Sequence, residues 1–128
     1  MLTIKLPFPD AKLSPNARLH WAQRHKASKA AKGNACVATI RAMQDKYPGS
    51  LERDFDTLMR KVDVINIELQ FVPKAAHRYD QDNLIARMKA ALDGISAAIG
   101  VDDVKFNIQK AEIMPPCKDD PHVLVSIG

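Results

Sequence analysis

Aromatic side chains are scarce in this chain: one Trp, two Tyr and four Phe make up 5% of its 128 residues. Stacking of bases on aromatic platforms is therefore excluded as its main way of holding a nucleic acid, and its core has to be aliphatic. Cysteine is nearly absent too. Cys36 and Cys117 stand far apart and in no metal-ligand spacing, so they read as core thiols of a reducing compartment. The four histidines, His20, His25, His77 and His122, show no zinc spacing. No Gly-rich loop is present to cradle a small phosphate ester, which argues against a phosphohydrolase of free nucleotides. No segment approaches the roughly 18 apolar residues of a membrane span, and Met1 to Pro7 contain no apolar run of signal-peptide length. The expectation is a soluble, cytoplasmic protein with no membrane partner.

A further absence is local. From Ala11 to Gln44 there is no acidic residue, while Lys12, Arg18, Arg24, Lys26, Lys29, Lys32 and Arg41 all fall within that stretch, with His20 and His25. The net charge of +4 is a weak hint by itself. A long segment of one sign is a stronger one, and it suits a surface that faces phosphates.

Hydrophobic residues reach 46%, enough for one folded domain over residues 1–128 with a modest core. Leu2, Ile4 and Leu6 alternate with polar neighbours and predict a strand ended by Pro7 and Pro9. Asp10 to Arg18 is a loop around the turn Ser14-Pro15-Asn16. An alanine-rich helix follows from about Leu19 to Lys46, with Ala35, Ala38, Ala42, Val37 and Ile40 as its buried face. Leu51 to Lys61 is charged and reads as a short helix or a mobile loop. Val62 to Phe71 is the strongest strand signal. A helix from about Asp82 to Ile99 carries the core stripe Leu84, Met88, Ala91, Leu92, Ile95 and Ile99, and Gly100 suits its left-handed cap. Strands near Lys105 to Ile113 and Val123 to Ile127 complete the order β-α-β-α-β-β. This is an α+β domain with a small mixed sheet packed by two main helices.

The chemistry concentrates at the two ends of that second helix. Asp80-Gln81-Asp82-Asn83 opens it, Lys89 lies on its polar face, and Asp102-Asp103 follows it. Clustered carboxylates repel unless a divalent cation holds them, and acids at a helix C-terminus meet the unfavourable end of its dipole. Capping by Asp82 and a solvated turn at Asp102-Asp103 are the plain alternatives. On an unbroken helix Asp82 and Lys89 share a face two turns apart, where a lysine could stabilise negative charge developing on a phosphate. A straight helix of that length spans about 25 Å, too far for Asp82 and Asp103 of one chain to share a cation. Either the helix bends near Gly94, or two chains related by a two-fold axis build two composite sites. The second arrangement is preferred.

These residues resemble the RusA-type Holliday junction resolvases, endodeoxyribonucleases common in phages and prophages. The resemblance rests on Asp80-Gln81-Asp82-Asn83-Leu84, Lys89-Ala90-Ala91-Leu92-Asp93-Gly94 and Gly100-Val101-Asp102-Asp103. It extends to Leu6-Pro7-Phe8-Pro9 and Ser14-Pro15-Asn16-Ala17-Arg18. It implies an intertwined homodimer with composite active sites that depends on Mg2+, with Mn2+ able to substitute. Such an enzyme nicks a four-way DNA junction symmetrically, in recombination and repair, leaving a 5′-phosphate and a 3′-hydroxyl. Asp80, Asp82 and Asp103 match the family's catalytic acids, Asp102 is the adjacent metal candidate, and Lys89 matches its helix lysine. One departure is visible: Asp82 and Lys89 are two turns apart here and about one turn apart in founding members.

For the branched DNA partner, Arg78, Lys74, Arg18, Arg24 and Lys26 are candidates for phosphate contacts. Arg78 directly precedes the acids, where it could also pair with them. Asn16 and His20 could set the N-terminal loop on DNA or pack locally, and Trp21 suits a core or an interface. The rival function is a non-catalytic branched-DNA-binding dimer of the same fold, whose acids merely cap helices.

Overall fold

The computed structural model describes residues 1–49 and 57–128. Strand β1 (Leu2–Pro7) leads into helix α1 (Trp21–Lys46), and β2 (Ile65–Val72) is followed by two helices, α2 (Gln81–Arg87) and α3 (Lys89–Ile99). Strands β3 (Phe106–Ile113) and β4 (His122–Ile127) close the order. Single 3-10 turns occupy Ala11–Leu13 and Asp103–Lys105. The α+β class and the β-α-β-α-β-β order hold, with the second helix divided in two. Residues 57–61 are helical, and the part of the expectation that falls on 51–56 lies outside the described residues.

The sheet runs β1-β4-β2-β3. β4 is antiparallel to both β1 and β2, whereas β2 and β3 are parallel. The parallel pair is joined by α2 and α3, as a crossover between parallel strands requires. Between Ile67 and Glu68 the pairing with β3 slips by one residue. Alternation sends Leu2, Ile4 and Leu6 of β1, Ile65, Ile67, Leu69 and Phe71 of β2, and Val123, Val125 and Ile127 of β4 into one buried layer. Against it lie Ala35 and Met43 of α1, and Ala91, Ile95 and Ile99 of α3. Ile95 and Ile99 are wholly removed from water, and each such side chain contributes about 1.5–3 kcal/mol. Thr39, also buried, satisfies its hydroxyl by donating to the Ala35 carbonyl at 2.7 Å.

Several local expectations are corrected. α1 begins at Trp21 because His20 caps it: its Nδ1 accepts the Ala22 amide at 3.2 Å. Val37 and Ile40 face outward, and the buried stripe is Ala35, Thr39 and Met43 with Ala38 and Ala42 beside it. The α1 pattern is diluted by alanine, so apolar content alone left its phase open. Trp21 is 73% exposed, so it is not a core residue. Cys36 is half-buried and Cys117 exposed, so neither is the core thiol expected. β2 starts at Ile65, and Val64 before it is exposed.

The second helix is interrupted at Met88, not bent at Gly94. There the amide bonds tighten: the Met88 N–H donates to the Ile85 carbonyl at 3.0 Å, and the ladder resumes when the Leu92 N–H donates to the Met88 carbonyl. Gly94 sits inside α3 for another reason. A Cβ there would stand 2.2 Å from the Lys32 carbonyl oxygen and 3.1 Å from the Ala35 Cβ. Glycine is what lets the backbones of α1 and α3 touch.

Candidate functional site

The N-terminus of α2 is assembled from three directions. Asp80, not Asp82, is its cap: Oδ1 accepts the amides of Asp82 at 3.0 Å and Asn83 at 3.4 Å. Asp82 lies in the first turn, exposed to solvent, where the dipole favours its charge. Just before the cap, the Tyr79 ring packs 5.5 Å from Phe8, which in turn meets Phe71 edge-on at 6.3 Å. That aromatic chain fastens the connection from β2 and so fixes where Asp80 points. Gln81 reaches the other way and donates its amide to the Ala111 carbonyl of β3.

The third direction is the N-terminal loop. Asn83 Nδ2 donates to Ser14 Oγ at 2.8 Å, Arg87 Nε donates to Asn83 Oδ1 at 2.9 Å, and the same guanidinium points at the Pro9 carbonyl at 3.5 Å. Ser14 is buried, and its Oγ also accepts the Asn16 amide at 3.3 Å. This relay from Ser14 through Asn83 to Arg87 holds residues 9–16 against the acid-bearing helix. In the sequence Ser14 reads only as part of a turn and Asn83 only as a neighbour of the acids, and their bond to each other is not visible there. The available signal was an Asn two residues inside a helix start, together with an Arg one turn later.

The second acidic pair sits beyond Gly100, whose left-handed conformation (φ 71°, ψ 30°) ends α3 as expected. Asp102 then caps the 3-10 turn, accepting the Val104 amide at 3.0 Å on Oδ1, and Asp103 is in that turn. These acids therefore stand at the start of a new turn rather than against the C-terminal dipole of α3. Both are exposed. The Lys105 ammonium beside them is spent on the Arg60 carbonyl at 3.0 Å.

Among the described residues, no three His, Cys, Asp or Glu side chains of one protomer gather where they could hold a metal ion. Asp80 and Asp82 stand at the start of α2, and Asp102 and Asp103 follow the end of α3. Neither pair makes an ion pair with a basic side chain of the described residues, where the ion pairs are Lys5–Asp120, Lys110–Glu112 and the His122–Asp120 contact. Arg78 therefore does not screen the carboxylates and stands exposed beside them. Lys89 is the first residue of α3, across the Met88 interruption from Asp82, and both are exposed.

Of the remaining predicted DNA contacts, Lys74, Arg18, Asn16 and Lys26 are exposed. Arg24 is half-buried and donates to the Ala17 carbonyl, which makes it a brace for the loop instead of a free cation. His20 is exposed but engaged as the α1 cap.

No family model matches the sequence. A protein of Xylella fastidiosa (strain Temecula1), described as uncharacterized, is 38% identical over 106 residues. That match covers 83% of this chain, and the chain spans 63% of that protein's length. No helix among the described residues is long and apolar enough to cross a membrane.

Proposed function

We propose that this protein is a magnesium-dependent endodeoxyribonuclease of the RusA type that resolves four-way DNA junctions as a homodimer. The observation that supports this best is the state of Asp80 and Asp82. Asp80 spends only Oδ1 on its capping bonds, Asp82 spends neither oxygen, and no cation of the described residues neutralises either. Free carboxylate oxygens two residues apart fit a hard divalent cation. Asp102 and Asp103 offer the same kind of donors. Since one protomer does not bring the two pairs together, the reading requires a partner whose Asp102/Asp103 end meets Asp80/Asp82, with two equivalent sites by symmetry.

A magnesium ion held by these acids supplies Lewis acidity toward the scissile phosphate and the attacking water. The chain supplies the rest. The aromatic chain and the Ser14–Asn83–Arg87 relay fix the acids and the loop bearing Asn16 and Arg18 with respect to each other. Arg78, Lys74, Arg18 and Lys26 offer free cations for DNA phosphates. Lys89, on the next helix, is retained as the candidate for stabilising charge on the leaving oxygen.

A second reading is favoured by a specific observation. Asp80 and Asp102 are both N-caps, as expected of a junction-binding dimer without catalysis. A strand-labelled four-way junction, incubated with and without magnesium beside a linear duplex of equal sequence, separates the two. Paired nicks on opposite strands, only in the junction and only with magnesium, are the expected result. Asp82→Asn then binds the junction and leaves it intact. A bound but uncut junction with the unaltered protein transfers the conclusion to the second reading.

A further inference from the structure

α1 and α3 enclose a groove of about 340 Å³ lined by His25, Ser28, Lys29 and Lys32 from α1 and by Ala90 and Asp93 from α3. The α1 positions recur at intervals of three and four, so they form one continuous wall. Beside the groove the two backbones meet at Gly94 and Lys32. Asp93 is the one carboxylate lining it, and neither Lys29 nor Lys32 pairs with that acid among the described residues. Two ammonium groups without an ion pair among the described residues thus line the groove, with a hydroxyl and an imidazole beside them. Lys89 stands immediately before Ala90, at the end of the α3 wall nearest α2 and its acids.

We propose that this groove is a second phosphate-binding track, in which Lys29 and Lys32, with Ser28 and His25, hold the backbone of a DNA strand leading toward Asp80 and Asp82. The inference rests on the nuclease reading and adds residues to it. Lys29 and Lys32 are about 4.5 Å apart along the helix axis, and their long flexible side chains let the two ammonium groups reach neighbouring phosphates of one strand. Asp93 cannot donate to a phosphate and repels it, which keeps the strand on the α1 wall. An acidic peptide is the other polymer that a basic wall attracts. The nuclease reading favours DNA: Lys89, immediately before Ala90 of the groove wall, leads from the groove toward α2.

The test is the salt dependence of junction binding, measured by fluorescence anisotropy with EDTA present so that no strand is cut. The protein is compared with a Lys29→Gln/Lys32→Gln variant and with Lys118→Gln, an exposed control on the β3–β4 connection. The double variant is expected to lower the slope of log K against log salt by about 1.8, a loss of roughly 60-fold in affinity at 0.1 M monovalent salt. Lys118→Gln leaves the slope unchanged. Asp93→Asn, which removes the repelling acid without touching the lysines, is expected to bind several-fold tighter. It keeps the question answerable if the double variant does not fold. An unchanged slope in the double variant, or unchanged affinity in Asp93→Asn, overturns the track while the unaltered protein still cuts junctions. Polyglutamate displacing the labelled junction from the unaltered protein but not from the double variant, with equal salt slopes for the two proteins, assigns the groove to acidic peptides. Failure of the unaltered protein to bind junctions at all removes the nuclease reading and the track with it.

Discussion

Asn83 donates its side-chain amide to the buried hydroxyl of Ser14 across 69 residues of sequence. With the Arg87–Pro9 contact, that bond joins the loop carrying Asn16 and Arg18 to the helix that Asp80 caps and whose first turn holds Asp82. Ser14→Ala leaves the Asn83 and Asn16 donors unpaired and is expected to cost about 1–2 kcal/mol. Asn83→Ala also frees Arg87 and is expected to cost a similar amount. In a double-mutant cycle by urea denaturation the two losses should fall short of additivity by at least 0.5 kcal/mol, roughly the coupling of direct partners. Full additivity removes the relay.

Asp80 caps α2, and the proposed nuclease reading gives it a second role as a metal ligand; one substitution separates the two. Asn is as good a cap as Asp, so Asp80→Asn is expected to lose only the charge–dipole part, about 0.5 kcal/mol. Asp80→Ala loses the cap as well, about 1 kcal/mol or more. Under the proposed nuclease reading, both should abolish magnesium-dependent cutting. A cleavage rate in Asp80→Asn equal to the unaltered protein's identifies Asp80 as a cap alone.

Gly94→Ala sets two effects against each other. Helix propensity favours alanine by about 1 kcal/mol. The Lys32 carbonyl, 2.2 Å from the new methyl position, forces α1 and α3 apart and costs about 1–3 kcal/mol, or more where the backbone cannot give. A net loss of stability is expected in thermal or urea unfolding. A gain means the helices separate freely at this point.

The Lys5 ammonium lies 2.6 Å from Asp120 and holds its carboxyl below the usual carboxylate range by hydrogen bonding, with its charge adding to the effect. A carboxyl lowered in the folded state stabilises the fold above its unfolded pKa, and that contribution disappears as pH falls through the lowered value. Both groups are exposed, so the effect on stability is small. The carboxyl titration of Asp120, followed by NMR, should move upward in Lys5→Ala. No movement means the pair does not persist in solution.

The sequence disclosed the fold where its patterns were dense. Leu2-Ile4-Leu6 and Val123-Val125-Ile127 alternate cleanly, and the stripe from Leu84 to Ile99 has the helical period, so these elements and Gly100 as a cap were legible. α1 was legible in extent but not in phase: with alanines on every side, Val37 and Ile40 looked like core and are not. The interruption at Met88 left no trace, because no Gly or Pro marks it and Met88 keeps its place in the stripe. Gly94 could be seen, but its neighbour across the interface, Lys32, is 62 positions away. At the candidate site the acids themselves stood out. Which of them cap turns depends on backbone angles at Asp80 and Asp102 that an Asp-rich sequence leaves open. The engagement of Arg24 with Ala17 and of Asn83 with Ser14 depends on how the loop folds back.

The strand order β1-β4-β2-β3 has a kinetic consequence. β4 is made after the other three strands yet lies between β1 and β2, so β1 has no neighbour to bond with until residues 122–127 have left the ribosome. During synthesis only the β2–α2–α3–β3 unit, with its parallel pair, can form a local nucleus, while β1 and the basic helix behind it wait. Contacts so distant in sequence slow folding and leave hydrophobic edges exposed meanwhile. The Asp80 end of the molecule can therefore take shape early, whereas the N-terminal loop that the Ser14–Asn83 bond ties to it settles only after β1 has found β4.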